Sequence, residues 1–231
     1  MPLQAILPTA EGAVAELAYV GDGARLVTAG GSGPARLCNI GSESVEREFA
    51  VTGAISHVAA STDGTRLATG SETGRVQVFN TNDGAVVGDL QSPGPVRSLR
   101  FSTDGGRLAV GAEDGHARIY EVASGRLAED LTGHTGAVRA IAFTADTGSP
   151  VTGGVDGDAR LWRLPLERAA ALHQGPITSV AYNGDGSQLF TTGDDGTLGQ
   201  WSGADLADLR MLGTDLGPQR TIAFAAAANV V

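Results

Sequence analysis

The chain contains no lysine, so all 16 of its basic residues are arginine. That absence excludes Schiff-base chemistry, a phosphate-loop lysine and a lysine general base together. Cysteine is reduced to Cys38, which rules out an intrachain disulfide and leaves nothing to suggest an oxidising compartment. No stretch approaches the ~20 apolar residues of a membrane-spanning helix. The start, Met1-Pro2-Leu3-Gln4, lacks the basic segment and apolar run of a secretory signal, and a cytoplasmic location is expected. Positive charge is also scarce: 26 acidic against 16 basic residues leave a net charge of −10. Nucleic acid and anionic membrane both need clustered positive charge, so neither is an expected partner. Abundant Gly and Ala beside the missing Lys suggest a GC-rich genome, and a bacterial source is expected.

Glycine is what the chain has in excess, at 34 of 231 residues. Each Gly in a helix interior costs roughly 1 kcal/mol against Ala, so helical bundles do not carry so many. With aromatics at only 5%, the composition indicates an all-β chain of short strands and frequent turns.

Laid against itself, the sequence repeats. The apolar residues Val14, Ile55, Val96, Val138 and Ile177, each opening a first strand, are 41, 41, 42 and 39 residues apart. The strands continue through Leu17-Ala18-Tyr19, Val58-Ala59-Ala60, Leu99-Arg100-Phe101, Ile141-Ala142-Phe143 and Val180-Ala181-Tyr182, and a sixth copy appears as Ile222-Ala223-Phe224. An Asp-Gly turn follows in four units (Asp22-Gly23, Asp63-Gly64, Asp104-Gly105, Asp185-Gly186), with Asp146-Thr147-Gly148 in the fourth. Such pairs mark hairpins because Gly accepts the positive φ that the turn requires. A second strand, a second turn (Asp114-Gly115, Asp156-Gly157, Asp195-Gly196) and a third strand ending at Cys38, Phe79, Tyr120, Trp162 or Trp201 complete the core of each unit. A last turn leads to an outer strand such as Arg126-Leu127-Ala128-Glu129. Four antiparallel strands every ~40 residues describe a β-propeller blade. A sandwich or barrel also has short, even strands, but neither explains a turn-by-turn register repeated five times.

These units resemble WD40 repeats over essentially the whole chain. In that family a His before the first strand, a Ser or Thr in the second, an Asp in the second turn and a Trp in the third form a hydrogen-bonded set. The fourth unit has His134, Thr152, Asp156 and Trp162; the fifth has His173, Thr191, Asp195 and Trp201, every member displaced by 39 residues. The first three units depart from the pattern, with Ala10, Val51 and Ser92 for the His and Cys38, Phe79 and Tyr120 for the Trp. Val110 stands in the Thr position of the third, and neither Trp is followed by Asp. A Thr–His–Asp set invites comparison with a hydrolase triad; in a propeller it is expected to be structural, satisfying a buried carboxylate and an indole N–H across three strands.

The expected architecture is therefore one WD40-type domain over 1–231, a propeller of about six four-stranded blades with the closing blade incomplete. Repeats are read at about 9–50, 51–91, 92–132, 133–172 and 173–213, with a partial sixth at 214–231 and an outer strand of the closing blade at 3–8. A missing third strand in the sixth blade would leave either a marginal closure through Gln4 to Leu7 or an open edge suited to self-association.

The four His (His57, His116, His134, His173) fall in separate units and show no ligand spacing, so no metal or cofactor is expected. Arg100 occupies a position that is Ala in the other five units, and is read as an Arg whose stem packs between blades while its head finds a carboxylate. The resemblance implies a non-enzymatic scaffold or sensor that holds a protein or peptide. The candidate docking residues are Arg97 and Arg139, one step into a first strand, with Glu72, Glu113, Val155 and Asp194 before the second turn. The rival readings are a propeller enzyme, disfavoured because the inward first-strand positions are mostly Ala, Ser, Arg and Thr, and a regulatory part of a larger bacterial signalling protein such as a kinase or NTPase.

Overall fold

Short β-forming runs, buried on both faces in most second and third strands of the sheets and separated by Gly turns, produce twenty strands and no helix among the described residues. The structure, a computed structural model, describes residues 13–31, 33–144, 148–162, 168–203, 206, 208–213 and 222. The expected outer strand at 3–8, the turn at Asp146, and the partial sixth repeat apart from Ile222 lie outside them.

The strands form five four-stranded antiparallel sheets, each a simple meander in chain order. The first holds β1 (Glu16–Val20), β2 (Arg25–Ala29), β3 (Ala35–Asn39) and β4 (Ser44–Phe49). The second holds β5 (Ile55–Ala60), β6 (Arg66–Ser71), β7 (Arg75–Asn80) and β8 (Val86–Gln91). The third holds β9 (Val96–Phe101), β10 (Arg107–Ala112), β11 (His116–Glu121) and β12 (Leu127–Thr132). The fourth holds β13 (Val138–Phe143), β14 (Pro150–Gly154), β15 (Asp158–Leu161) and β16 (Arg168–Ala171). The fifth holds β17 (Ile177–Tyr182), β18 (Gln188–Gly193), β19 (Thr197–Ser202) and β20 (Asp208–Gly213). Irregularities recur with the repeat: the first strand slips at Ile55/His57, Val138/Ala140 and Ile177/Ser179, the third at Leu37/Cys38, Val78/Phe79 and Gln200/Trp201.

The chain divides into two compact units, residues 1–110 with 119–128, and 111–118 with 129–231. In the first unit β1 and β2 pack on β5, and β5 and β6 pack on β9. Val20, Val27 and Phe49 there meet Ile55, Val58, Leu67 and Phe79, while Ala68, Val76 and Val78 meet Val96, Leu99 and Leu108. In the second unit β13 and β14 pack on β17, closing Ala140, Ala142, Val151 and Leu161 against Ile177, Val180, Leu189 and Trp201.

One strand departs from the expected pattern. β1 begins at Glu16, two residues after Val14, which is exposed where Ile55, Val96, Val138 and Ile177 are buried. Leu17 and Tyr19 on the same strand are 54% and 66% exposed, whereas Val58, Leu99, Ile141 and Val180, in the position of Leu17, are all buried. The reason is directional. One face of β1, with Ala18, lies towards β5, and alternation puts Leu17 and Tyr19 on the other.

Candidate functional site

The second unit contains both four-residue sets, and each closes as a chain of hydrogen bonds. Trp162 Nε1 donates to Thr152 Oγ1 at 2.8 Å, and Thr152 Oγ1 lies 2.8 Å from His134 Nε2. His134 Nδ1 lies 2.9 Å and 3.0 Å from the two Asp156 oxygens. An indole N–H can only donate, so the hydroxyl accepts it and gives its own proton to Nε2. The imidazole proton is then on Nδ1, directed at the carboxylate, and the ring is neutral. Burial accordingly holds the His134 pKa below its ordinary value, although Asp156 pulls the other way. Asp156 also accepts the N–H groups of Thr135 (3.0 Å) and Asp158 (3.2 Å).

The fifth sheet repeats the arrangement: Trp201 Nε1 to Thr191 Oγ1 at 2.7 Å, Thr191 Oγ1 to His173 Nε2 at 2.7 Å, and His173 Nδ1 to Asp195 at 3.1 Å. Burial would raise the Asp195 pKa, but bonds from Thr197, the Gln174 N–H and His173 outweigh it and bring it to about 2. Gly154 and Gly193 make room for the His–Asp pair. A Cβ on Gly154 would lie 2.3 Å from His134 Nδ1, and one on Gly193 2.6 Å from His173 Nδ1. Neither set can work as a triad, because Thr152 and Thr191 are 0% exposed and each hydroxyl is already engaged on both sides.

The departures in the earlier units have physical consequences. Thr28 and Thr69 occupy the Thr position of the first two sheets, but with Cys38 and Phe79 replacing the Trp their buried hydroxyls have no hydrogen-bond partner. The same holds for Ser92, in the His position of the third. Around the third sheet's turn Asp another residue takes over: Arg118 reaches Asp114 at 2.7 Å and 3.2 Å and Asp130 at 3.7 Å, while His116 Nδ1 lies 2.8 Å from Asp130. Burial works against ionisation of Asp114, and the Arg118 and His116 bonds prevail to lower its pKa. Sequence reasoning missed this group. Its signal was an Arg four residues past the second turn position, recurring as Arg118 and Arg160, with outer-strand acids Glu48, Asp89 and Asp130 at even spacing. Glu48 pairs with Arg36 at 2.8 Å and Asp89 with Arg75 at 2.5 Å.

In each unit the candidate docking residues stand at the ends of the sheets that carry the turns between second and third strands. In the first unit Arg97 Nη1 contacts Glu72 Oε1 at 2.6 Å. In the second, Glu113, Arg139 and Asp194 are exposed and Val155 is 37% exposed. Their backbone is held: Val155 N–H donates to Ala137 O at 3.0 Å and Asp194 N–H to Pro176 O at 2.9 Å.

Known families fit this geometry. The WD domain, G-beta repeat model matches residues 46–80 and 171–202, and the model of the anaphase-promoting complex subunit 4 WD40 domain matches 89–146. The chain is a WD40-repeat protein. Among solved structures, a chain from the crystal structure of the mitotic checkpoint complex superposes with a TM-score of 0.84 at 20% identity, over 92% of this chain and 68% of that one. At that identity the likeness carries the propeller fold and no role. No curated protein matches the sequence.

Within the WD40 fold the remaining polar position of note is Arg100 on β9. Water reaches its surface, yet surrounding protein lowers its pKa, opposed by the charge of Glu16. Glu16 is itself raised by burial, against the pull of Val58 N–H, which donates to Oε2 at 2.7 Å, and of Arg100. Among the described residues no three His, Cys, Asp or Glu side chains gather as a metal site would require.

Proposed function

We propose that this WD40 propeller is a non-enzymatic interaction module, holding a protein or peptide on the edge that carries the turns between second and third strands. WD40 propellers generally serve as interaction scaffolds, and one observation supports the finer reading. In the second unit Glu113, Val155 and Asp194, chemically different and exposed, each immediately precede a turn Asp tied down by hydrogen bonds (Asp114, Asp156, Asp195). Varied side chains on a fixed backbone are what selective binding needs, because little ordering cost remains when a partner arrives. Arg139 adds a cation to the same edge.

The test compares affinity capture from lysate of the source organism, quantified by mass spectrometry, for wild type and for the double variant Arg139→Glu, Val155→Asp. The variant is expected to lose the captured protein while keeping its melting temperature. Arg126→Glu, in the turn before β12 at the opposite edge, should keep it. Equal capture by all three proteins would remove this edge from consideration.

A further inference from the structure

In the first unit an arginine ties the first sheet to the second. Arg47 on β4 reaches the turn between β7 and β8, where Nη1 donates to Asp83 O at 3.1 Å and Nη2 to Asn82 O at 2.7 Å. Its stem passes over Gly84, at which a Cβ would lie 3.4 Å from Arg47 Cδ.

The same turn is rebuilt one repeat later, between β11 and β12. Gly84 N–H donates to Asn80 O and Asn80 N–H to Ala85 O, both at 2.9 Å; Gly125 N–H donates to Glu121 O at 2.8 Å and Glu121 N–H to Arg126 O at 2.9 Å. The two glycines share the left-handed conformation, with φ of 78° and 68°. Ala123 and Ser124 therefore hold the places of Asn82 and Asp83, and their carbonyls form the matching pair of acceptors. What differs is the side chain that reaches them. Arg47 pairs with Leu37 across β3 and β4, and the residue in that register on β8 is Gly88, paired with Val78. Leu90 covers Gly125 as the Arg47 stem covers Gly84, but a leucine has no donor to offer. Between the second and third sheets lies a cavity of about 240 Å³, lined by Thr65, Arg66, Asn80, Val87, Val122 and Ala123. Val87 is 46% exposed, so the cavity is reached from outside.

We propose that this cavity is a socket for an arginine side chain of a partner protein, whose guanidinium takes the place on Ala123 and Ser124 that Arg47 takes on Asn82 and Asp83. Two carbonyls met by two different nitrogens suit a planar fork better than the single ammonium of lysine. Val87 and Val122 offer the methylene stem an apolar wall. Arg66 does not oppose the guest. Its Nη1 is held by Gly105 O at 3.0 Å, and Arg25, in the same repeat position, stands beside Gly64 in a gap that already holds Arg47. The net charge of −10 favours the approach of a cationic partner. The socket lies at the opposite ends of the sheets from the second-to-third turns and is independent of the role proposed for those.

The probe is the acetylated and amidated pentapeptide Gly-Gly-Arg-Gly-Gly, titrated into the isotope-labelled full chain and followed by NMR, with lysine and citrulline versions beside it. In wild type the arginine peptide should give saturable shifts of the Ala123, Ser124 and Gly125 amides, with an affinity roughly fivefold or more above either control. Gly88→Arg should abolish these shifts by filling the socket from within. Arg47→Ala should open the equivalent socket and add saturable shifts at Asn82 and Asp83. The proposal is overturned if wild type shows no saturable shift at 123–125, or if a folded Gly88→Arg responds unchanged. Should Gly88→Arg fail to fold, Arg47→Ala decides the same question, and no gain at Asn82 and Asp83 overturns the socket. Equal affinity for the lysine or citrulline peptide overturns the guanidinium as its ligand.

Discussion

The same threonine, in the same repeat position, has opposite value in different sheets. Thr152 bridges Trp162 and His134, so Thr152→Val leaves an indole N–H and an imidazole nitrogen without partners in the interior. The expected loss is about 1–3 kcal/mol in urea unfolding. Thr69 is equally buried with no partner for its hydroxyl, and Thr69→Val should be neutral or stabilising; the third sheet already has Val110 there. Equal losses for the two variants would refute the assignment. Protonation should be felt at the same sets. The Asp195 pKa of about 2 lies below the ordinary 3.8, so on acidification the unfolded chain takes up its proton first. The stability from that carboxylate is fully present above pH 3.8 and is lost as pH falls towards about 2. His134 is also depressed from its ordinary 6.5, so the unfolded chain binds that proton more readily and stability declines as pH drops below 6.5. Unfolding free energy measured from pH 7 to 5 should slope downward with acidification, and His134→Gln should flatten the slope. An unchanged slope in the variant would contradict the neutral imidazole.

At the scale of elements, the fourth and fifth sheets each have three strands tied by a closed set of hydrogen bonds, while the first three sheets retain only parts of one. Hydrogen exchange should therefore show slower opening in β13–β15 and β17–β19 than in β1–β3 and β5–β7. Equal protection across the sheets would show that apolar packing alone sets local stability. The first sheet offers a second comparison. Val58→Ala removes buried methyl groups packed between β5 and the first sheet, and should cost roughly 2 kcal/mol. Leu17→Ala, at the equivalent place on β1, removes a side chain already more than half exposed and should cost under about 0.5 kcal/mol. Chemical denaturation of the two variants measures the difference directly.

For the molecule as a whole, the net charge of −10 bears on the choice of partner more than on the fold. Among the described residues several arginines are paired with acids nearby: Arg97 with Glu72, Arg75 with Asp89, Arg118 with Asp114 and Asp130, Arg36 with Glu48. Retention on immobilised DNA or heparin at about 0.1 M salt is expected to be negligible. Binding there that weakens steeply with added salt would show a basic patch that these pairings do not account for.

The amino-acid sequence by itself determined the repeat, the turns and the residues of the two closed sets. Each is written in spacing: Asp-Gly pairs recur with the period, and His134, Thr152, Asp156 and Trp162 reappear 39 residues later as His173, Thr191, Asp195 and Trp201. A period is a local property that survives without knowledge of which surfaces meet. Tertiary structure decided the rest. Cys38 and Phe79 announce a missing Trp, but only burial turns Thr28 and Thr69 into unpaired hydroxyls. Arg118 looks like an ordinary third-strand residue until the fold brings Asp114 and Asp130 to it across a turn and an outer strand. Leu17 and Tyr19 have the alternation of core residues, and are open because packing on one face of a strand says nothing about the other. Glu16 becomes meaningful only when the Val58 N–H, 42 residues away, arrives beside it. Hydrogen bonds and burial depend on distances that sequence separation does not encode, so they belong to the folded chain alone.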